Sequence, residues 1–185
     1  MTEPEEIRHV PKILAECGVR LVIVEPIPNF KIDGVCFWIE DNRSPVIGLT
    51  LKGDYIDRVW FNIRHEIEHA LRGDGKTSVV IDDFESGSLT SEDEAEKEAN
   101  SAAEDFCVPK EAMDDFILRH DPMYSTKSFI GFSRIVKRHP GIVAGQLQHK
   151  IGRPELFKKF QPRVREIITQ TALTDGYGHE LSADF

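Results

Sequence analysis

Hydrophobic residues between positions 55 and 72 recur every three or four places, which is the spacing of one face of an α-helix. Asp54 before this stretch is a typical N-cap residue and Gly73 after it is a typical helix-ending residue, so we predict a helix over Tyr55–Arg72. On a helical wheel the apolar side chains fill an arc roughly 120° wide. They are Ile56, Val59, Trp60, Ile63, Ile67, Ala70 and Leu71. We expect this face to enter the hydrophobic core.

Polar side chains on the other side of the same helix carry its candidate chemistry. His65, Glu66 and His69 form the pattern His-Glu-x-x-His, in which two histidines one helical turn apart can bind one divalent metal. The glutamate then lies beside the water that such a metal carries. Ordinary core histidines would point into the apolar face, whereas the periodicity places both imidazoles away from it. The pattern therefore favours a metal site.

The rest of the chain predicts an α+β fold. Strands are expected over 19–25, 34–40 and 46–51, the last two as an antiparallel hairpin, with a short strand within 77–81. A helix starting at Ser91 opens with the capping-box pattern Ser-x-x-Glu. This helix is expected over 91–107, and other helices are expected over 4–17, 109–120, 126–138, 140–151 and 154–173.

This element order predicts a single domain over residues 1–173. Its first part, 1–109, would hold a small, mostly antiparallel sheet packed on the metal-binding helix, and 110–173 would form an α-helical C-terminal part. Residues 174–185 have little to bury, so we expect a frayed tail.

The acid-rich helix over 91–107 is the natural source of a third metal ligand, because a catalytic zinc usually takes three protein ligands. Its alanines and Phe106 define a buried arc, and Glu96 lies at the border of that arc with Asn100 one turn further on. Glu94 and Glu98 fall on the solvent side. Glu96 is therefore the leading candidate, and Glu92 is the alternative.

Charge is unevenly spread along this 185-residue chain of net charge −9, which argues against a general nucleic-acid binder. Residues 82–105 carry ten acids against Lys97, and residues 126–165 carry ten Lys and Arg against Glu155. The plainer interpretation is two solvated faces that attract each other. The alternative makes 126–165 a docking surface for an acidic partner or nucleic acid.

Cysteine usage and hydropathy indicate the compartment. Cys17, Cys36 and Cys107 are odd in number and far apart, which favours reduced thiols in a cytoplasmic protein. No apolar run has the length needed to span a bilayer, and the acidic N-terminus does not have the pattern of a signal peptide. We therefore expect a cytoplasmic protein without a membrane partner.

Three stretches together resemble the ImmA/IrrE family of zinc metallopeptidases. They are His-Glu-Ile-Glu-His at 65–69, Glu-Lys-Glu-Ala-Asn-Ser-Ala-Ala-Glu-Asp-Phe-Cys-Val-Pro at 96–109 and His-Pro-Gly-Ile-Val-Ala-Gly-Gln-Leu-Gln-His at 139–149. The last stretch, and Val-Trp-Phe at 59–61, are similar to the peptidase-type C-terminal domain fused to some HigA-like antitoxins. The resemblance covers about residues 10–165, and the motifs in this order are far more specific than any one.

The resemblance implies a zincin-like fold in which His65, His69 and Glu96 hold zinc and Glu66 is the general base. Asn100 would orient a ligand or a neighbouring loop. It also implies an endopeptidase that cuts a specific regulator or repressor protein in a stress, phage, toxin–antitoxin or mobile-element circuit.

Departures from the family pattern keep a second hypothesis open. Glu68 stands where the family commonly has Gly, Ala102 replaces the usual Phe, and Cys107-Val108 replaces a Leu-Met type pair. The alternative function is a non-catalytic, metal-stabilised antitoxin or regulatory protein-binding module, which Glu68 and the basic segment 126–165 favour. Candidate oxyanion donors, which the sequence does not rank, are Tyr124, His120, His139 and His179.

Overall fold

A long central helix packs against one small sheet and a group of shorter helices in the computed structural model, which describes residues 1–26, 32–76, 79–82 and 94–174. The strands are β1 (Arg20–Ile23), β2 (Gly34–Ile39), β3 (Ser44–Leu49), β4 (Val80–Asp82) and β5 (Leu173–Thr174). A 3-10 helix at Pro4–His9 leads into α1 (Val10–Glu16). The remaining helices are α2 (Ile56–Arg72), α3 (Glu94–Cys107), α4 (Lys110–His120), α5 (Thr126–Ile135), α6 (Pro140–Ile151) and α7 (Arg165–Ile168), with a 3-10 turn at Lys158–Phe160. The predicted α+β class is confirmed.

The sheet is mixed, with strand order β4-β2-β3-β1-β5. β2 pairs antiparallel with β3 from Gly34↔Leu49 to Ile39↔Ser44, which confirms the predicted hairpin. β4 pairs antiparallel with β2, whereas β1 runs parallel to both β3 and β5. The antiparallel half of the sheet therefore lies on the side of β2, the strand whose first residue, Gly34, contacts the candidate site described below.

The predicted central helix is confirmed, and its apolar face lies in the core as expected. Ile56, Val59, Trp60 and Ile63 are all buried. Gly73 ends the helix in the left-handed conformation (φ 79°), where a residue without Cβ is favoured. Leu71, assigned to the same face by periodicity, is 73% exposed, because the last turn of the helix extends beyond the core.

The predicted N-cap is wrong. Tyr55 is the N-cap residue of α2, and its side chain makes no capping hydrogen bond. The Asp54 carboxylate instead pairs with Arg163 at 2.7 Å and approaches Arg165 at 3.9 Å. A charged hydrogen bond to arginine is stronger than one to a neutral backbone N–H, so the distant cation takes the carboxylate away from the helix.

The helix predicted over 154–173 is also wrong. Phe157 adopts a left-handed conformation (φ 60°) and stacks on Phe129 at 3.9 Å between ring centroids. Pro162 cannot donate within a helix, and its carbonyl accepts from the N–H of Ile56. The segment is therefore held by contacts with α2 and α5, and only Arg165–Ile168 remains α-helical.

Several predictions fall partly outside the described residues. The capping-box residue Ser91 and the alternative ligand Glu92 lie there, as do 77–78 of the short strand predicted within 77–81. α3 is described from Glu94 and ends at Cys107 as predicted. Thr174, the first residue of the expected frayed tail, pairs with Ile23 in the sheet, and 175–185 lie outside the described residues.

Two buried clusters share α6. One joins α1, the sheet and α2 and includes Ile142 from α6. The second lies among the C-terminal helices and includes Val143, Ala144 and Leu147. Because consecutive residues of α6 enter both clusters, this helix ties the helical part to the sheet part.

The Asp54–Arg163 contact gives a first prediction. Replacing Asp54 by asparagine should lower the free energy of unfolding by about 1 kcal/mol, because a neutral amide replaces the nearly buried carboxylate that accepts a charged hydrogen bond from Arg163, while Arg163 itself stays well solvated. Urea unfolding followed by circular dichroism measures the change. Glu155→Gln is the matched control, since the Arg153–Glu155 pair is exposed on both sides and its loss should leave the free energy of unfolding nearly unchanged. Equal losses in the two variants would contradict the anchoring role of Asp54.

Candidate metal centre

His65 and His69 meet on one side of α2. Both residues are fully buried at 0% exposure, and their Nε2 atoms lie 3.0 Å apart. A spacing of four residues puts side chains one turn apart on the same helix face, which is why the two rings converge. Their ring centroids are 4.8 Å apart in an edge-on arrangement. Phe61, one turn earlier on α2, stacks on His65.

α3 brings Glu96 to the two imidazoles. This helix packs along α2, and its residues Ala99 and Ala103 are completely buried, so the two backbones can approach closely. One carboxylate oxygen of Glu96 lies 3.3 Å from His65 Nε2, and the other lies 3.1 Å from His69 Nε2. At the end of α2, Arg72 pairs with Glu98 on α3. The acid selected by periodicity is therefore the one that faces the histidines.

The three side chains offer donor atoms at separations that suit a divalent metal. Zinc binds nitrogen and oxygen at about 2.0–2.1 Å, so neighbouring ligands of a tetrahedral ion lie about 3.3–3.5 Å apart. The separations of 3.0, 3.1 and 3.3 Å among His65, His69 and Glu96 are close to this range. All the ligand atoms lie within 4.8 Å of one another. Two imidazoles and one carboxylate also form a typical catalytic zinc donor set.

The protonation state of Glu96 suits a ligand. Burial alone would raise the pKa of this carboxyl, but hydrogen bonds from His65 and His69 and their positive charge outweigh burial and lower the pKa to about 2. Glu96 is therefore a carboxylate at neutral pH. Metal ligation would require both imidazoles in their neutral form.

Glu66 lies beside this cluster in a completely buried position. Its carboxylate packs directly on Gly34, the first residue of β2, so that a Cβ at that position would overlap the glutamate oxygen. A side chain at position 34 would therefore have to displace the Glu66 carboxylate. The sheet and α2 come together at this contact, which restricts the position of the Glu66 carboxylate.

Asp74 is a site residue that sequence reasoning missed. Its Oδ2 lies 3.0 Å from His69 Nδ1 and also accepts from Arg72 Nε at 3.3 Å. The backbone holds Asp74 in place, because its N–H donates to the His69 carbonyl at 2.9 Å and its own carbonyl accepts from Trp38 Nε1 at 2.8 Å. A carboxylate that accepts from Nδ1–H directs the lone pair of Nε2 towards the cluster. The sequence does contain a signal for this residue, namely an acid directly after the helix-ending Gly73.

Glu68, the carboxylate that departs from the family pattern, is directed to another partner. Arg64 donates to it at 2.7 Å one turn earlier on α2, and both side chains are 21% exposed. The pair is a regular i,i+4 contact along the helix. Glu68 therefore does not join the cluster of His65, His69 and Glu96.

The candidate oxyanion donors are engaged within the helical part. Tyr124 and His120 both pack on Phe116, and the Tyr124 hydroxyl donates to Asp121 at 3.2 Å. His139 accepts from the N–H of Gly141 and caps α6. His179 lies outside the described residues.

Asn100 lies one turn after Glu96 and lines a cavity of about 420 Å³ between α2, α3 and α6. Cys107 lines the same cavity but is 4% exposed, and burial, followed by the charge of Asp57, raises the pKa of its thiol to about 12. A thiol with so little thiolate is a poor nucleophile and behaves as a small apolar side chain. The other cysteines are also free thiols, with Cys17 exposed and Cys36 buried.

Comparisons with known proteins agree with this geometry. Residues 17–151 match the Peptidase_M78 family model, whose description is IrrE N-terminal-like domain. The match includes the whole of α2, α3 and α6, and therefore every residue of the candidate centre. No curated protein matches the chain. Among the described helices, none combines the length and apolar character that a bilayer crossing requires. Because the match covers well over half of its residues, the chain belongs to the ImmA/IrrE family of peptidases, through an IrrE N-terminal-like domain.

Proposed function

We propose that the protein is a zinc-dependent endopeptidase in which His65, His69 and Glu96 bind the metal and Glu66 acts as general base. The observation that carries this proposal is the convergence of two histidines of α2 and one glutamate of α3 within 4.8 Å, with a fully buried carboxylate beside them. Membership of a peptidase family supports a protein as the substrate. The three free cysteines support a cytoplasmic location.

Zinc in such a site supplies Lewis acidity, which polarises a peptide carbonyl and makes a water molecule more acidic. The residues of the chain then have separate tasks. Glu66 takes a proton from the attacking water and delivers it to the leaving amine. Its packing on Gly34 restricts the carboxylate, so that little reorganisation precedes proton transfer. Asp74 keeps the His69 ring in the orientation and tautomer that ligation needs.

Asn100 remains a proposed positioning residue. It follows Glu96 by one turn on α3 and is half-buried at the edge of the cavity. From this position its amide is placed to orient a substrate group or a neighbouring segment beside the metal ligands, in the role that the family resemblance implies.

A direct test uses zinc analysis together with cleavage of a candidate substrate. The protein is purified with zinc and incubated with the repressor or regulator encoded nearest to it, and the products are identified by mass spectrometry. We expect about one zinc per chain and cleavage at one site, which a chelator stops and added zinc restores. Metal binding without any cleavage of regulators or of a mixed peptide pool would contradict the peptidase proposal.

The Asp74 contact gives a prediction specific to metal binding. Asp74→Ala should weaken zinc affinity by 10- to 100-fold, because loss of a carboxylate behind a ligating histidine has about this effect. A competition titration with a chromophoric chelator measures the affinity. Asp115→Ala is the control, since Asp115 also pairs with a nearby arginine, Arg119, but lies on α4 away from the centre. Equal zinc affinity in both variants would show that Asp74 does not position His69.

The alternative function, a non-catalytic antitoxin or regulatory module, rested on Glu68 and on the basic segment. Glu68 is paired with Arg64 and leaves the centre unchanged. Several cations of 126–165 are also engaged within the chain: Lys150 with Asp114, Arg163 with Asp54 and Arg165 with Glu25. These contacts reduce the free positive charge that a docking surface or a nucleic-acid site would need. Neither feature now favours the alternative over the peptidase.

A further inference from the structure

The cavity between α2, α3 and α6 begins one helical turn from the candidate metal centre. Asn62 precedes Glu66 by four residues on α2, and Asn100 follows Glu96 by four on α3, and four residues span about 6 Å along a helix axis. Asp33 also lines the cavity, next to the Gly34 on which Glu66 packs. From this end the cavity extends along the helices towards Asp57 and Cys107. Its volume of about 420 Å³ lies at the lower end of the range for ligand pockets.

Negative charge dominates the cavity wall. The carboxylates of Asp33, Asp57 and Glu104 line it, against the single arginine Arg58. The Arg58 guanidinium packs on Gly53, in the turn before α2, so closely that a Cβ on Gly53 would overlap it. The cavity is therefore an environment that attracts a cation.

Two buried acceptor atoms in this wall call for a hydrogen-bond donor. Gln146 is 9% exposed, and its Nε2 donates to the Val108 carbonyl at 3.1 Å, which fixes the amide. Its Oε1 accepts from no residue in the described part of the chain, and the same holds for Asp57 Oδ1. Leaving such acceptors buried without a donor costs free energy, so a ligand with several N–H groups is favoured here.

Asp57 is a carboxyl whose existing partners do not offset burial. Burial raises its pKa, although hydrogen bonds, including one from Gln161, and the positive charge of Arg58 oppose the rise. Gly145 on α6 allows the close approach, because a Cβ there would overlap the Asp57 side chain. A further cation beside Asp57 would lower the pKa of this carboxyl and so oppose the effect of burial.

We propose that this cavity binds the guanidinium or ammonium group of a basic side chain, with Asp57 and Gln146 as the acceptors. The planar guanidinium of arginine carries five N–H donors and can satisfy both acceptors at once. A substrate that lies across the metal centre can extend one side chain into a cavity that starts one turn away. The cavity would then select arginine or lysine near the cleaved bond, an assignment that rests on the proposed peptidase function.

The cation site itself is tested without catalysis. The full-length, zinc-loaded Glu66→Gln protein is titrated with N-acetyl-arginine amide while the side-chain amide NMR signals of Gln146 and Asn62 are followed. We expect saturable shifts, with binding at least tenfold weaker for N-acetyl-norleucine amide, an apolar probe of similar length. Shifts that are absent, or equal for both probes, would overturn the proposal.

Charge-removing variants identify the acceptors. Asp57→Asn should weaken binding of the arginine probe about tenfold. Glu104→Gln removes another carboxylate of the cavity lining, on α3, and should also weaken binding, so it serves as a second variant should the first fail to fold. Glu111→Gln removes an exposed carboxylate of α4 and should leave the affinity unchanged. Equal affinities for all three variants would also overturn the proposal.

A second experiment distinguishes a substrate side chain from a free cation. The wild-type zinc enzyme is incubated with a randomised peptide pool, and the cleaved sequences are read by mass spectrometry. Enrichment of arginine or lysine at one position relative to the cut supports the substrate assignment. Cleavage without such enrichment overturns that assignment and leaves a site for a free cation. Absence of all cleavage contradicts the peptidase function, while the titration still decides the cation site.

Discussion

Replacing Glu66 by glutamine is expected to lower the rate of peptide cleavage by about 10²–10⁴-fold, the usual contribution of a general base. Zinc content should stay at the wild-type level, because Glu66 is not among the three converging ligand residues. Glutamine keeps the size of the side chain against Gly34, so the buried contact between α2 and β2 is preserved. The variant should therefore separate proton transfer from metal binding. Single-turnover cleavage and zinc analysis of the same preparation measure the two effects.

Glu68→Gln is the matched control for this experiment. The same chemical change is made two residues further along the same helix, at a carboxylate that pairs with Arg64. We expect cleavage within about threefold of wild type, since the loss of one partly exposed ion pair costs at most about 1 kcal/mol of stability. Unchanged cleavage in Glu66→Gln, or an equal loss in both variants, would rule out Glu66 as the general base.

The parts of the fold that follow from local periodicity could be predicted from the sequence. The apolar spacing from Ile56 to Ala70 predicted both the helix and the face that enters the core, and Gly73 predicted where the helix ends. The same reasoning placed Glu96 at the border of the buried side of α3, and this carboxylate meets His65 and His69 in the structure. A helix converts sequence spacing directly into direction, so one correct periodicity fixes the orientation of several side chains.

Features that depend on contacts between distant residues could not be predicted in this way. Asp54 has the sequence signature of an N-cap, but Arg163, more than a hundred positions later, takes its carboxylate. Asp74 could not be assigned because its partner, His69 Nδ1, is reached only once the chain turns back after Gly73. The parallel pairing of β1 with β5 likewise depends on where the C-terminal segment runs. Tertiary contacts outweigh local propensity at each of these points.

Zinc should raise the melting temperature of the wild-type protein by about 5–10 °C. A ligand present at about 100 times its dissociation constant stabilises the folded state by about 2.7 kcal/mol, and a chain of this size gains about 2–4 °C per kcal/mol. The structural reason is that the candidate ligands come from both α2 and α3, so a bound ion would join the two helices. Differential scanning calorimetry with zinc and after chelation gives the difference.

His65→Ala should abolish this zinc-dependent difference together with cleavage, because two remaining ligands bind the ion far more weakly. The variant also loses a buried ring and can melt lower in both conditions, so the informative quantity is the change on adding zinc to each protein. His9→Ala is the control, since it removes an exposed imidazole from the N-terminal 3-10 helix and should retain the full zinc effect. A wild-type melting temperature that does not respond to zinc, or a response that persists in His65→Ala, would show that the three side chains are held together by their own hydrogen bonds rather than by a metal.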